Sequence, residues 1–176
     1  ANSATDGASN GNTAAVQLSR TYDNALPSLV ISTGAGTPTK LSPFSVTFTF
    51  SESVTGFVVG DVTVGNGAKS NFSGSGAVYT MDITPSADGA VTVDVAAGVA
   101  ADGAANTNTV ATQLSRTYDG TLPTVAITSA ASNPTNSSPF SITVTFSEDV
   151  SGFVIGDLVV GNGTAGNLQV STANRI

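Results

Sequence analysis

Apolar and hydroxyl-bearing residues alternate along much of the chain. Phe44, Val46, Phe48 and Phe50 take turns with Ser45, Thr47 and Thr49, a period of two that sets one face of a strand on a core and the other in water. Leu29 and Ile31 alternate with Val30 and Ser32. Tyr79, Met81 and Ile83 alternate with Thr80 and Asp82, and Val91, Val93 and Val95 with Thr92 and Asp94. A third strand is expected over 57–64, interrupted at Gly60-Asp61, and a last one over 110–118. Turn signals separate these runs. Asn66-Gly67 and Asp88-Gly89 tolerate positive φ, and a Gly/Ala/Asn loop occupies residues 98–108. Short alternating runs at regular spacing predict a β-sandwich.

The pattern repeats. Gln17-Leu18-Ser19-Arg20-Thr21-Tyr22-Asp23 returns as Gln113-Leu114-Ser115-Arg116-Thr117-Tyr118-Asp119, an offset of 113 − 17 = 96. At that offset 32 of the 51 pairs from Gln17 to Gly67 are identical without a gap, which is the mark of duplicated modules. Asp6-Gly7 and Asn10 match Asp102-Gly103 and Asn106. The phase divides the chain into residues 1–24, the tail of a preceding module; residues 25–120, one full module; and residues 121–176, an incomplete second module.

The run from Leu122 to Gly163 contains Leu-Pro-Thr-Val-Ala-Ile-Thr, Asn-Pro-Thr-Asn-Ser-Ser-Pro-Phe, Phe-Ser-Glu-Asp-Val-Ser-Gly-Phe and Gly-Asp-Leu-Val-Val-Gly-Asn-Gly. With Thr84-Pro85-Ser86-Ala87-Asp88-Gly89 and Ala101-Asp102-Gly103-Ala104-Ala105-Asn106-Thr107-Asn108, it resembles the bacterial Ig-like repeats of large secreted and surface adhesins. The resemblance implies an all-β chain of tandem immunoglobulin-like β-sandwich modules with Greek-key antiparallel sheets. It also implies an extracellular or cell-surface location and a spacer or stalk role. A fold carries no function by itself, so two alternatives stand beside the spacer. One is a glycan- or host-protein-binding module. The other is a filament subunit that self-associates by strand complementation at the open edges of the incomplete module.

Composition narrows the chemistry. The chain has no His, Cys or Trp, which excludes Ser–His–Asp and Cys–His catalysis and disfavours zinc. No glycine-rich phosphate loop precedes a helix pattern, and no catalytic residue is assigned. Twelve carboxylates stand against five scattered basic residues, for a net charge of −7. That balance argues against nucleic acid and anionic membranes as partners. No apolar run reaches the length of a membrane span, so membrane insertion is not expected.

In a sandwich of this strand order one end collects the incoming linker, the loop after the second strand and the last long loop. These carry Asp23, Glu52, and Asp102 with Asn106 and Asn108. Asp119 and Glu148 are the matching acids at the next junction, with Asp149 beside Glu148. Ca2+ takes six to eight oxygen ligands in irregular geometry. A calcium ion at the module junction is therefore one reading of Asp23, Glu52, Asp102, Asn106, Asp119 and Glu148; ordinary solvated loop acids are the other. Asp61 and Asp157, each after a glycine, read as outward acids at a break in the third strand. Tyr22 and Tyr118 are expected to seal the sandwich end near the linker.

Overall fold

The computed structural model describes residues 3–169, which divide into two compact units, Ala1–Asp119 and Gly120–Ile176. The first contains strands β1 (Leu29–Ser32), β2 (Phe44–Val54), β3 (Val62–Gly65), β4 (Gly67–Pro85), β5 (Gly89–Val95) and β6 (Leu114–Tyr118). They form two sheets, ordered β1-β2-β4 and β3-β5-β6, antiparallel throughout the strand pairings. The chain changes sheet between β2 and β3, between β3 and β4 and between β4 and β5, as in a Greek-key sandwich.

The alternation read from the sequence is what the burial follows. Phe44, Val46, Phe48 and Phe50 of β2, Tyr79, Met81 and Ile83 of β4, and Val91, Val93 and Val95 of β5 are buried in one cluster. The intervening Ser45, Thr49 and Thr80 face solvent. Both sheets contribute to this cluster, so each strand buries one side. Fully burying such side chains gains about 1.5–3 kcal/mol apiece.

Three local expectations change. The third strand is shorter than its apolar run: Val59–Asp61 is a turn of 3-10 helix, and only Val62–Gly65 pairs with β5. The Asp61 carboxylate accepts a hydrogen bond from the Val58 amide at 2.8 Å, so the acid is spent on its own turn. Asn66-Gly67 does not close a hairpin, because β3 and β4 lie in different sheets. Asn66, at φ 56°, redirects the chain, and its amide donates to the Ala87 carbonyl at 2.8 Å.

The 19 residues of β4 would span about 60 Å if straight, yet its two ends touch. A Cβ on Gly67 would lie 2.9 Å from Ile83 Cγ2, Asn71 donates to Asp82 at 2.9 Å, and Phe72 stacks on Tyr79 at 5.8 Å. The element therefore doubles back at Gly74 and Gly76, both at positive φ. Residues 67–73 form an extra strand that no alternation announced. Lys69, on this arm, donates to the Val59 and Val62 carbonyls at 2.9 and 2.7 Å and ties the arm to the 3-10 turn and to β3.

The second unit repeats the start of the first. Strands β7 (Val125–Thr128) and β8 (Thr143–Phe146) pair with Val125 opposite Phe146, as Leu29 lies opposite Phe50. The 3-10 turn recurs at Ile155–Asp157, with Asp157 accepting from the Val154 amide at 2.9 Å. Ser129 bonds the Ser141 carbonyl at 2.6 Å as Thr33 bonds that of Ser45. Burial does not repeat: all four residues of β7 are exposed.

Candidate functional site

Residues 101–108 form a closed loop built by one aspartate. Asp102 Oδ1 accepts from the amides of Ala104 and Asn106 at 2.8 and 2.9 Å, and Oδ2 from the Asn106 side chain at 2.8 Å. Ala105 at φ 68° closes the turn, and the Asp102 amide donates to the Asn106 carbonyl. Asn108 is buried beneath it. Its Oδ1 accepts from Val99 and Ala100, and its nitrogen donates to the Ala96 and Thr109 carbonyls. That side chain is fully used in holding the loop and has nothing left for a ligand.

The same loop appears at residues 4–12. Asp6 accepts from Ala8, from the Asn10 amide and from the Asn10 side chain, each at 2.9 Å, and Ser9 takes φ 68°. Every side-chain bond to Asp6 comes from within the loop itself.

The loop at 101–108 is delivered to the end of the first unit by Thr55, which exchanges two main-chain hydrogen bonds with Ala101. There the carboxylates of Asp23, Glu52 and Asp102 meet, one oxygen from each lying within 4.8 Å of the others. Glu52 stands on β2 and not in a loop; β2 runs on to Val54 past a register irregularity between Thr49 and Val54. Asn106 donates to the Asp23 carbonyl at 3.2 Å as well as to Asp102, which leaves its Oδ1 as the atom able to join a ligand set. Asp23 Oδ1 accepts from the Ala25 amide at 3.0 Å. Among the described residues no Lys or Arg pairs with these acids. Asp119 belongs to the first unit and Glu148 to the second. Tyr118 packs against the core, whereas Tyr22 is exposed and seals nothing.

The electrostatics of the three carboxylates diverge. Loss of hydration, with the negative charges of Asp102 and Asp23 added, holds the Glu52 carboxyl above its ordinary range. The hydrogen bond from Asn106, with those of the loop amides, holds Asp102 below its own. The consequences for stability have opposite sign. Asp102 contributes stability above the ordinary aspartate value, and this is lost as pH falls through its lowered folded value. Glu52 binds its proton more tightly in the folded state, so stability falls as pH rises from the ordinary glutamate value through the raised one. In metal-free buffer, Glu52→Gln is therefore expected to raise the Tm at pH 7 and leave it near wild type below pH 4, as thermal melts at the two pH values would read.

A family model for the bacterial Ig-like domain matches residues 23–118 and again residues 119–176. No curated protein and no solved structure gives a significant match. Members of that family are typically non-catalytic and commonly sit at the cell surface or outside the cell. Among the described residues no helix is long and apolar enough to cross a membrane.

Proposed function

The chain belongs to the bacterial Ig-like domain family, and from that premise we propose that it is a spacer segment of an extracellular bacterial adhesin, non-enzymatic and stiffened by calcium at the end of its module. The observation that carries the spacer reading is repetition: two copies share strand register, 3-10 turn and capping hydrogen bonds. A stalk needs identical units at defined spacing, and a recognition module needs a distinctive patch.

Calcium is supported by the donor set. Three carboxylates within 4.8 Å of one another repel unless a cation or protons intervene. Asp23 comes from the linker, Glu52 from β2 and Asp102 from the preformed loop, so an ion held among them would tie the linker to the sandwich. Hard oxygen donors in irregular array suit Ca2+, and the remaining positions would be filled by water and Asn106. At a calcium concentration ten times the Kd, binding to the folded state alone stabilises by roughly 1.4 kcal/mol, a rise of about 6–10 °C in Tm for a domain of this size.

The test is a Ca2+ titration against EDTA, followed by melting temperature, on the chain and its Glu52→Gln variant. A rise in the parent with a flat response in the variant is expected. An unmoved parent Tm at millimolar Ca2+ would end the calcium reading. A glycan array probed in the same buffer separates spacer from binder, since a reproducible ligand would overturn the spacer.

A further inference from the structure

Between β1 and β2 the chain leaves its own sheet and runs beside β6 of the other one. Four hydrogen bonds join the two segments. Arg116 Nε donates to the Ala35 carbonyl at 3.0 Å, and the Thr117 amide to Thr37 Oγ1 at 3.1 Å. The Thr39 amide donates to the Thr117 carbonyl at 2.9 Å, and the Asp119 amide to the Thr39 carbonyl at 3.0 Å. The bridge between Thr39 and Tyr118 is parallel, whereas every pairing between named strands is antiparallel. Ala35 and Thr39 are buried, so water has little access to compete for the bonds they make. Thr39 Oγ1 also takes the Leu41 amide at 3.1 Å, which fixes the bend by which the chain departs. On its other side β6 is paired with β5 from Gly89 to Val93.

The parallel direction matters because of where the two segments connect. The chain enters residues 35–39 from β1, and β6 leads out of the unit at Asp119. Tension along the chain therefore pulls residues 35–39 backward and β6 forward. Parallel segments pulled in this way slide lengthwise past each other. Their crosswise bonds share the load and must fail together. Drawn apart from one end, the same bonds would fail one after another.

We propose that residues 35–39 and β6 form a tension clamp, which sets the force at which the first unit gives way when the chain is pulled from its two ends. The clamp rests on the spacer reading for its use, since a stalk carries load end to end. It is independent of calcium.

The chain has no cysteine, so paired substitutions supply unique thiol handles for single-molecule pulling of the full chain in EDTA. Asn24→Cys with Leu122→Cys loads the clamp lengthwise. Lys40→Cys with Leu122→Cys, both just past the C-terminal ends of the two segments, peels it open. All three positions are exposed. At equal pulling speed the lengthwise pair is expected to need the higher unfolding force. Thr37→Val removes one acceptor and Arg116→Leu one donor. Each is expected to raise the unfolding rate under lengthwise load about three- to tenfold and to move the peeling force less. Equal forces in the two geometries would sink the clamp, and that comparison needs neither variant to fold. A lengthwise force indifferent to both substitutions would sink it as well. A ligand found on the glycan array removes the spacer reading and leaves the difference in force standing. Equal forces with no ligand remove the clamp and leave the spacer.

Discussion

Phe57→Ala is expected to destabilise the first unit by about 3–5 kcal/mol, the usual cost of emptying a buried aromatic site. Phe57 is 4% exposed and lies at the centre of five rings. Its centroid is 5.1 Å from Tyr79, 5.2 Å from Phe50, and 5.6 Å from both Phe48 and Phe72, all edge-on. Those neighbours belong to β2 and to both arms of β4, and Phe57 itself precedes the turn before β3, so one truncation loosens the packing among all of these segments. A loss of that size is a large part of the ~5–15 kcal/mol that holds a domain together. The matching change in the second unit, Phe153→Ala, should cost far less. Phe153 meets only the Phe146 ring among the described residues and is partly exposed. Urea denaturation of both variants, followed by far-UV circular dichroism, which reads the strands of both units, checks the contrast. Equal losses would mean that the five-ring cluster is not where the stability resides.

Gly74→Ala is expected to cost at least about 3 kcal/mol, because two penalties fall on one position. Two penalties combine. At φ +131° the backbone occupies a region that side-chain-bearing residues rarely enter, a strain of order 1–3 kcal/mol. A Cβ there would also overlap the Val78 carbonyl oxygen and come within 2.5 Å of the Tyr79 Cα. Both are backbone atoms that no rotamer change can move. The fold-back of β4 must open, which separates Phe72 from Tyr79 and releases Lys69 from its two carbonyls. Gly98→Ala is the control: φ is +79° but nothing lies within 4 Å, so only the conformational cost remains, about 1–2 kcal/mol. Denaturant midpoints for the two variants give the comparison, and a Gly74→Ala midpoint at or above that of Gly98→Ala would refute it.

Much of the fold is legible in one dimension. Period-two alternation located β1, β2, β5 and the second arm of β4, because burial on a single sheet face must show as alternation. The first arm escaped because Gly67-Ala68-Lys69-Ser70-Asn71-Phe72-Ser73 has one large apolar residue. It lies on the outer edge of its sheet, against its own second arm. Val58 and Val59 misled in the other direction. They read as strand, but Asp61 caps the Val58 amide and turns the chain there, and both valines are exposed. For the candidate site, residue types and order pointed to Asp23, Glu52 and Asp102, while the placement of Glu52 on β2 depends on a strand that outruns its own alternation by four residues. Asn108 read as a candidate donor; only its four hydrogen bonds identify it as a loop support.

Two pairs of near-identical segments separate what is local from what is not. The Asp-Gly-Ala-Ala/Ser-Asn loop closes the same way at residues 6–10 and 102–106, because its partners are never more than a few residues apart and the chain pays little entropy to bring them together. The heptapeptide from Gln17 to Asp23 is identical to that from Gln113 to Asp119, yet strand forms only within the second copy. A strand's hydrogen bonds and the burial of its leucine are both supplied by other segments, here β5, Thr39 and the core. Alternation and turn chemistry were fixed by the residues themselves. Whether an alternating run became a strand, and which acids met, was decided by what the rest of the fold brought alongside.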